Sequence, residues 1–435
     1  MQRADRLLLV VMALGAAPAR GQSPAPPVAF VNVNLLTMDS VPVALGRVVL
    51  VRDGVIRTIG GLDTPIPPGT IRIEGEGRRW LMPGLVDMHV HSFGRDELLL
   101  YLANGVTTIR NLHGLPMHLA WRDSLSRGTM VGPRLLTAGP ILDGDPPTRS
   151  TNVVVRTAAE ATAEVDRQAA QGFDWIKVYD NLSPEAYAAV VRAAARHGLP
   201  VAGHLPTPVT LAGALAAPLR TLEHVEELLP LFADGRDAAP VDSVARALAA
   251  AGIAVTPTIV VYQSALDQVR DWPAVLARPE MRHLDPATRQ RWGWDPTGAA
   301  RSGNAQGAAR FERTTGFFLA TLVPALQRAG VLMLAGSDAP IPAIVPGFGY
   351  HDELRLLGRA GLTPVEVLRI ATRNAAIATG VDQQRGRVRV GHDADLLLLE
   401  GDPRSDLGAL DRRVGVMVAG RWHAQAALDR AIGRP

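Results

Sequence analysis

Strand-length apolar runs recur eight times between residues 85 and 340, and this rhythm constrains the fold more than any other feature of the chain. Several runs begin just after a glycine, as at Gly105 and Gly330. Glycine commonly ends helices in the left-handed conformation, so its place before a strand indicates that a helix has just finished. Stretches rich in Ala, Leu, Arg and Glu, such as residues 158–171, lie between the runs. Eight strands alternating with helices over about 250 residues predict an α/β fold, a (β/α)8 TIM barrel.

Two β-like segments flank the predicted barrel. Residues 28–82 and 381–430 hold short apolar runs, punctuated in the first segment by Asp-Gly and Gly-Gly pairs. We expect these segments to join in one small β-sandwich beside a barrel that covers residues 83–380. The interval 262–310 is longer than an ordinary loop, and it is interpreted either as a helical insertion over the barrel mouth or as a surface elaboration.

The N-terminus has the pattern of an export signal. Arg3 and Arg6 precede an apolar run over residues 7–17, which small residues follow. The run is shorter than the about 20 residues that a membrane-spanning helix needs. We therefore expect a signal peptide at 1–21, a Pro-rich linker at 22–27, and an exported protein, periplasmic or extracellular, without a membrane span. A retained anchor or a buried first helix is the alternative interpretation.

The composition excludes several classes of function. None of the 435 residues is cysteine, which excludes disulfides, thiolate metal ligands and Fe–S clusters. The formal net charge is +3, much of it supplied by the first twenty residues, and no basic cluster stands out elsewhere. Nucleic-acid binding therefore has no support. Nothing in the chain decides between a monomer and a homo-oligomer.

Polar side chains able to bind metal stand at the ends of the predicted barrel strands. The carboxyl ends of all barrel strands face one mouth, where the chemistry of such folds lies. His89 and His91 leave the same side of the first strand, because residues two apart share a face. A lone histidine or one His-x-His pair is more often structural, but several such strand ends together predict a metal site. Its expected members are His89, His91, Lys177, His204, His224 and Asp338.

Lys177 is the single lysine in a chain that has 44 arginines. A lysine ammonium group beside divalent metal ions would be repelled. A neutral amine, favoured by burial and by the metals, instead adds CO₂ and becomes an anionic carbamate that can bridge two ions. Arginine stays protonated and lacks this chemistry. We therefore interpret Lys177 as an N6-carboxylysine rather than as an accidental lysine.

These strand ends lie within longer motifs. The chain contains the runs PGLVDMHVH, IKVY, GHLP, LEHVE and AGSDAP, followed by GLTPVEVLRIATRNAA and GHDADLLLLEGDP. Together they resemble the amidohydrolase superfamily, in its binuclear branch with a carboxylated lysine. Within it, the chain is most similar to the imidazolonepropionase-like group, which includes Xaa-Pro and Xaa-Arg/Lys dipeptidases. The likeness extends over residues 28–422.

The resemblance implies two divalent metal ions, with Zn²⁺ as the default and Mn²⁺, Co²⁺ or Fe²⁺ as alternatives. The ligands that it implies for the more buried ion are His89, His91, Lys177 and Asp338. Those that it implies for the more exposed ion are Lys177, His204 and His224. The implied reaction is attack by a metal-bridging hydroxide on an amide, with Asp338 as the catalytic proton shuttle.

Four more residues near strand ends or in mouth loops are candidates for binding substrate: Arg110, Tyr179, Tyr262 and His351. Arg110 would hold a substrate carboxylate or form a buried structural ion pair. The other three would line the pocket or serve only in packing. Asn111 and His113 differ from the residues that relatives commonly carry, which puts any transfer of substrate specificity in doubt.

The predicted function is that of an exported enzyme that hydrolyses a small molecule, either a dipeptide or an N-acyl amino acid. The alternative is the same site acting on lactones, phosphotriesters or cyclic amides. A deaminase is disfavoured, because that branch pairs its strand-five histidine with a nearby glutamate and the residues following His204 supply none. A binding protein without activity is also disfavoured, because all six expected ligands are present.

Overall fold

A computed structural model describes residues 26–39, 43–232, 240–292 and 305–433. The predicted signal peptide, most of the predicted linker and part of the predicted insertion lie outside the described residues. None of the helices within the described ranges combines the length and the apolar character that crossing a membrane requires.

The strands of the described residues are, in chain order, β1 (Val28–Leu36), β2 (Val43–Arg52), β3 (Val55–Gly60), β4 (Ile71–Glu74), β5 (Trp80–Pro83), β6 (Leu85–Val90), β7 (Val106–Asn111), β8 (Arg134–Thr137), β9 (Leu142–Asp143), β10 (Val153–Val154), β11 (Ile176–Val178), β12 (Val201–Gly203), β13 (Thr221–Glu223), β14 (Ala254–Thr256), β15 (Leu396–Leu399), β16 (Arg413–Val418) and β17 (Arg421–Ala424).

The α-helices of the same ranges are α1 (Arg95–Ala103), α2 (Pro116–Arg127), α3 (Ala158–Gln171), α4 (Pro184–Arg196), α5 (Leu211–Ala216), α6 (Val241–Ala250), α7 (Ile259–Arg270), α8 (Trp272–Leu276), α9 (Pro286–Arg291), α10 (Ala305–Phe317), α11 (Val323–Arg328), α12 (Phe348–Arg359), α13 (Pro364–Arg369), α14 (Ala375–Ala378) and α15 (Gln425–Ala431). Short 3-10 helices lie at Val225–Leu231, Pro279–His283 and Leu407–Asp411.

Both ends of the described chain contribute to one sheet. Its strand order is β17-β16-β15-β5-β1-β2-β3, with β4 beside β1. β5 runs parallel to β1 on one side and antiparallel to β15 on the other. The two flanking segments therefore meet, but the predicted β-sandwich is not confirmed, because these pairings form one continuous sheet. Phe30, Leu81 and Leu398 belong to its buried apolar core.

The central strands are parallel and form two ladders, β6-β7-β8 and β10-β9-β11-β12-β13-β14. Isolated parallel bridges extend the ladders. Ala138, just after β8, pairs with Trp175. A residue of β14 pairs with Met333, and a residue of β6 pairs with Ala339. The eighth predicted strand contributes these last two bridges instead of a regular strand, so the regular ladders do not close into a barrel. Within this segment Asp338 has a left-handed backbone, with φ of 58°.

Local sequence signals account for the helices that separate the strands. Thr157 precedes α3, and its side chain accepts a hydrogen bond from the backbone N–H of Glu160. The same helix ends at Gly172, which has a φ of 85° that favours glycine. Short strands buried on all sides, such as β11, and amphipathic helices outside them are typical of parallel α/β folds.

The described part of the predicted insertion is helical. Trp272 and Met281 are buried with Trp292 in a small apolar cluster. The same cluster includes Leu100 of α1 and Val345, so the insertion packs against the body of the protein.

Candidate metal centre and active site

The six predicted metal-binding residues all lie at the carboxyl ends of the central strands or just beyond them. They are His89 on β6, His91 after it, Lys177 on β11, His204 after β12, His224 after β13, and Asp338. The backbone N–H of Asp338 donates to the carbonyl oxygen of His89 at 2.7 Å. Gly336 permits this close approach, since a Cβ at that position would lie 2.7 Å from the Cβ of His89.

Imidazole and carboxylate groups are in contact in this cluster. His89 Nε2 lies 3.2 Å from His91 Nε2, and Asp338 Oδ1 lies 3.3 Å and 2.9 Å from these two nitrogens. The ring of His224 lies 4.4 Å from that of His89 and 5.0 Å from that of His204, measured between centroids. One donor atom from each of His89, His224 and Asp338 lies within 4.8 Å of the others. This group is compact enough to share a metal ion.

Unpartnered donor atoms show that these residues fit metal ions. Lys177 is fully buried, and its Nζ has no hydrogen-bond partner among the described residues. The same holds for His91 Nδ1 and His204 Nε2, which are also buried atoms. Because buried polar atoms are nearly always satisfied, donors left open in one place favour a bound cation.

The charge states of the cluster suit metal binding. Burial lowers the pKa of His89, His204 and His224 well below the ordinary value, which keeps the imidazoles neutral. Burial also lowers the pKa of Lys177 to about 8, against the opposing influence of nearby carboxylates. Burial raises the pKa of Asp338, but the neighbouring histidines His224 and His91 lower it by more. The net pKa of Asp338 is therefore below its ordinary value.

A fully buried ion pair between Arg110 and Glu223 contacts His89 at its Nδ1. Glu223 Oε2 lies 2.9 Å from His89 Nδ1, and Arg110 Nη2 donates to the other Glu223 oxygen at 2.7 Å. Arg110 also donates to Thr221 Oγ1 at 2.9 Å and to the carbonyl of Met88 at 2.7 Å. This corrects the expectation that Arg110 binds substrate, because its guanidinium is inaccessible and each of its nitrogens already has a protein acceptor.

His204 and His224 are oriented by residues that sequence reasoning missed. His204 Nδ1 lies 2.6 Å from Asp180 Oδ1 and 3.3 Å from Glu227 Oε1. His224 Nδ1 lies 2.7 Å from the hydroxyl of Thr258. The residues that follow His204 in sequence offer no glutamate, and the segment after β13 supplies one in space. Asp180 follows Lys177 by three residues, and Glu227 follows His224 by three. This short distance in sequence from a predicted ligand is the only signal that could have identified them.

Asp87 ties β6 to the segment that carries Asp338. One of its carboxylate oxygens accepts from the backbone N–H groups of His89 at 3.2 Å and Ser337 at 3.0 Å. The other accepts from the Ser337 hydroxyl at 2.6 Å. Burial raises the pKa of Asp87 to about 7. This residue, also missed from sequence, fixes His89 and Asp338 relative to each other.

One of the two predicted tyrosines, Tyr179, lies close to the cluster. The ring of Tyr179 lies 4.0 Å from that of His204, and Lys177 Nζ lies 5.9 Å from the Tyr179 ring. The ring of Tyr262 on α7 instead packs against those of Phe311 and Phe318, at 5.7 Å and 5.1 Å between centroids. Burial raises the pKa of both tyrosines to about 12, so each is a neutral hydrogen-bond donor at neutral pH.

His351 lies at the other end of the strands. It is a buried residue of α12, and its Nε2 lies 2.8 Å from the carbonyl oxygen of Asn104. Asn104 follows α1 and precedes β7, so this contact is at the amino ends of the strands. The expectation that His351 lines the mouth is therefore wrong, and the residue serves in packing.

A cavity of about 390 Å³ also lies at this amino end, with Thr107, Asp174 and Pro200 in its wall. None of the six predicted metal ligands lines it. This cavity is therefore not part of the candidate site, which is located by its six predicted ligands instead.

Comparison with protein families identifies the group to which the chain belongs. The model of the Amidohydrolase family matches residues 80–423, which include all six residues of the cluster. The chain belongs to the amidohydrolase family. This confirms the resemblance seen in the motifs, and this amidohydrolase is a metal-binding hydrolase of amide or peptide bonds.

Similar proteins agree with this assignment. Ochratoxinase from Aspergillus niger is 24% identical over 425 residues, covering 82% of this chain and 78% of the relative. The solved structure of bottromycin amidohydrolase has a TM-score of 0.75 and 27% identity, and the match covers 93% of this chain and 90% of that one. An Xaa-Pro dipeptidase with bound methionine in its active site has a TM-score of 0.69 at 19% identity, covering 92% and 100%. Such neighbours imply the predicted TIM-barrel α/β fold.

Proposed function

We propose that this amidohydrolase is an exported binuclear enzyme that hydrolyses the amide bond of dipeptides or N-acyl amino acids. The observation that carries the proposal is the cluster of four histidines and Asp338 at the carboxyl ends of the strands, together with a buried Lys177 whose Nζ is unpartnered and which acts electrostatically on His89 and His204. A carbamate formed on that nitrogen offers two anionic oxygens, which suits two cations. Release of a C-terminal amino acid is the expected outcome.

The residues that would hold the more buried ion are His89, His91, Lys177 and Asp338. Those that would hold the second ion are Lys177, His204 and His224. Bound divalent ions, with Zn²⁺ as the default, supply the Lewis acidity that polarises an amide carbonyl and makes water more acidic.

The side chains of the site have separate tasks in this proposal. Asp338 is kept ionised by its histidine neighbours, so it can accept a proton from the attacking water and pass it to the leaving amine. Glu223 accepts from His89 Nδ1–H at 2.9 Å, which leaves His89 Nε2 free to bind metal. Tyr179 is a neutral donor beside His204 and is suited to a polar group of the substrate.

Export rests on the charged, apolar and small-residue pattern of residues 1–21. Expression of the full chain in a bacterial host, with mass spectrometry of its N-terminus, tests this part. Cleavage near residue 21 and recovery outside the cytoplasm are the expected results, and an intact N-terminus in the cytoplasm would contradict them.

The activity is tested by loading the mature protein with Zn²⁺ in the presence of bicarbonate. Dipeptides and N-acyl amino acids are then screened, and the metal content of the same sample is measured. We expect two ions per chain, turnover for one class of C-terminal residue, and loss of turnover on chelation that Zn²⁺ restores. Two bound ions with cleavage only of lactones, phosphotriesters or cyclic amides would refute the substrate class. Absence of bound metal would refute the site.

A further inference from the structure

Glu226 has a buried carboxylate oxygen to which the proposed mechanism gives no task. The residue follows His224 by two positions and lies in the short helix Val225–Leu231 at the carboxyl end of β13. Its Oε2 is buried and has no hydrogen-bond partner among the described residues. The charged groups that act on it most strongly are all carboxylates, those of Glu227, Asp338 and Glu353.

The chain offers no cation to this oxygen in the described ranges. Arg310 acts electrostatically on Tyr262, which is itself a neighbour of Glu226, but no ion pair joins Arg310 to Glu226 there. Burial and the neighbouring carboxylates raise the pKa of Glu226 well above its ordinary value, and a buried carboxylate oxygen without a donor is unfavourable. A ligand that brings its own positive N–H donors would relieve this cost.

The location of Glu226 restricts which part of a substrate can reach it. Asp338, one of its electrostatic neighbours, is the proposed proton shuttle and therefore stands beside the reacting amide. In a dipeptide, the amino nitrogen is only two bonds from the carbon of the scissile carbonyl. A group that recognises this nitrogen must therefore lie near the reacting atoms, and Glu226 stands two residues from the proposed metal ligand His224 at the carboxyl end of β13.

We propose that Glu226 accepts hydrogen bonds from the α-ammonium group of a dipeptide and thereby selects substrates with a free amino terminus. This inference rests on the proposed amide hydrolysis and narrows its substrate class to dipeptides rather than N-acyl amino acids. An acyl group without the amine leaves Oε2 of Glu226 buried and unpaired, whereas an ammonium group provides three donors.

The test compares two substrates that differ only in the amine, an alanyl and a propionyl amide of the same C-terminal amino acid. We expect the metal-loaded wild-type enzyme to favour the alanyl compound by about 10- to 100-fold in kcat/KM, as for a hydrogen bond to a charged group. Glu226→Gln should bring this ratio close to one, and Glu226→Asp should give an intermediate ratio. Glu185→Gln is the matched control, because Glu185 is exposed on α4, and it should keep the wild-type ratio.

Metal content is measured for each variant, so that loss of metal is not mistaken for loss of recognition. Equal kcat/KM for the two substrates in the wild-type enzyme, or an unchanged ratio in Glu226→Gln, overturns the role of Glu226 and leaves amide hydrolysis standing. If the enzyme holds two ions and cleaves neither substrate, the proposed function fails and this inference fails with it. If Glu226→Gln does not fold, the wild-type comparison and Glu226→Asp decide.

Discussion

Replacing Arg110 with methionine tests whether this residue supports the site or contacts substrate. Methionine keeps much of the side-chain volume but removes the charge and every donor. Burial raises the pKa of Glu223, but Arg110 and Lys177 outweigh this effect and hold the pKa below its ordinary value. Both partners of the ion pair are fully buried. Because breaking such a pair leaves an uncompensated charge, we expect the free energy of unfolding to fall by about 3–5 kcal/mol.

The same change should weaken metal binding, since Glu223 would lose the partner that holds it against His89. Loss of a residue that orients a metal ligand typically costs about 10- to 100-fold in affinity. Urea denaturation of the metal-free protein measures stability, and competitive Zn²⁺ titration measures affinity. Arg192→Met, at an exposed position on α4, is the control and should change neither quantity.

A double variant, Arg110→Met with Glu223→Gln, removes both charges and should recover part of the lost stability. Unchanged stability and metal affinity in Arg110→Met, together with a raised KM only for substrates that carry a carboxylate, would refute this reasoning. That result would return Arg110 to the substrate-binding role that the sequence suggested.

Three further predictions concern single side chains. Lys177→Arg should lose both metal and activity, because guanidinium forms no carbamate; a fully metallated and active variant would exclude that role. Asp338→Asn should keep most of its metal but lose most turnover, and full kcat in the metallated variant would remove Asp338 as the proton shuttle. Burial lowers the pKa of His351 to about 3 in the folded protein. As the pH drops below about 6.5, His351 becomes protonated in the unfolded chain but not in the folded one, so the free energy of unfolding falls. Between about pH 6.5 and 4.5 this amounts to roughly 2–3 kcal/mol, and denaturation of His351→Gln should lack this part of the pH dependence; an identical slope would contradict it.

The sequence predicted the strands and the meeting of the six candidate residues at one end of them, because both depend on short-range patterns. Apolar runs preceded by glycine mark strands, and His89 and His91 share a face of a strand wherever that strand packs. The eighth strand was predicted as regular because apolar content does not report whether a segment forms a continuous ladder or only the isolated bridges at Met333 and Ala339.

The roles of residues that depend on contacts between distant segments could not be predicted from the sequence. Arg110 stands at a strand end, but sequence does not show that its side chain turns inward to Glu223, 113 positions away. Likewise, the contact of His351 with Asn104 joins segments 247 positions apart. Position along a strand therefore predicts which end of the fold a residue occupies, and only the folded neighbours decide what it does there.

The pairing of β5 with β15 has a consequence for how the chain is made. Leu397 lies opposite Met82, so β5 keeps one open edge until more than 300 further residues have been synthesised. Until then, the buried side chain of Leu81 and its neighbours lack their cover, and closing so long a loop carries an entropic cost. The sheet is therefore completed only after β15, β16 and β17 have been made, and a product that stops before residue 396 would expose an apolar, unpaired strand edge of the kind that aggregates.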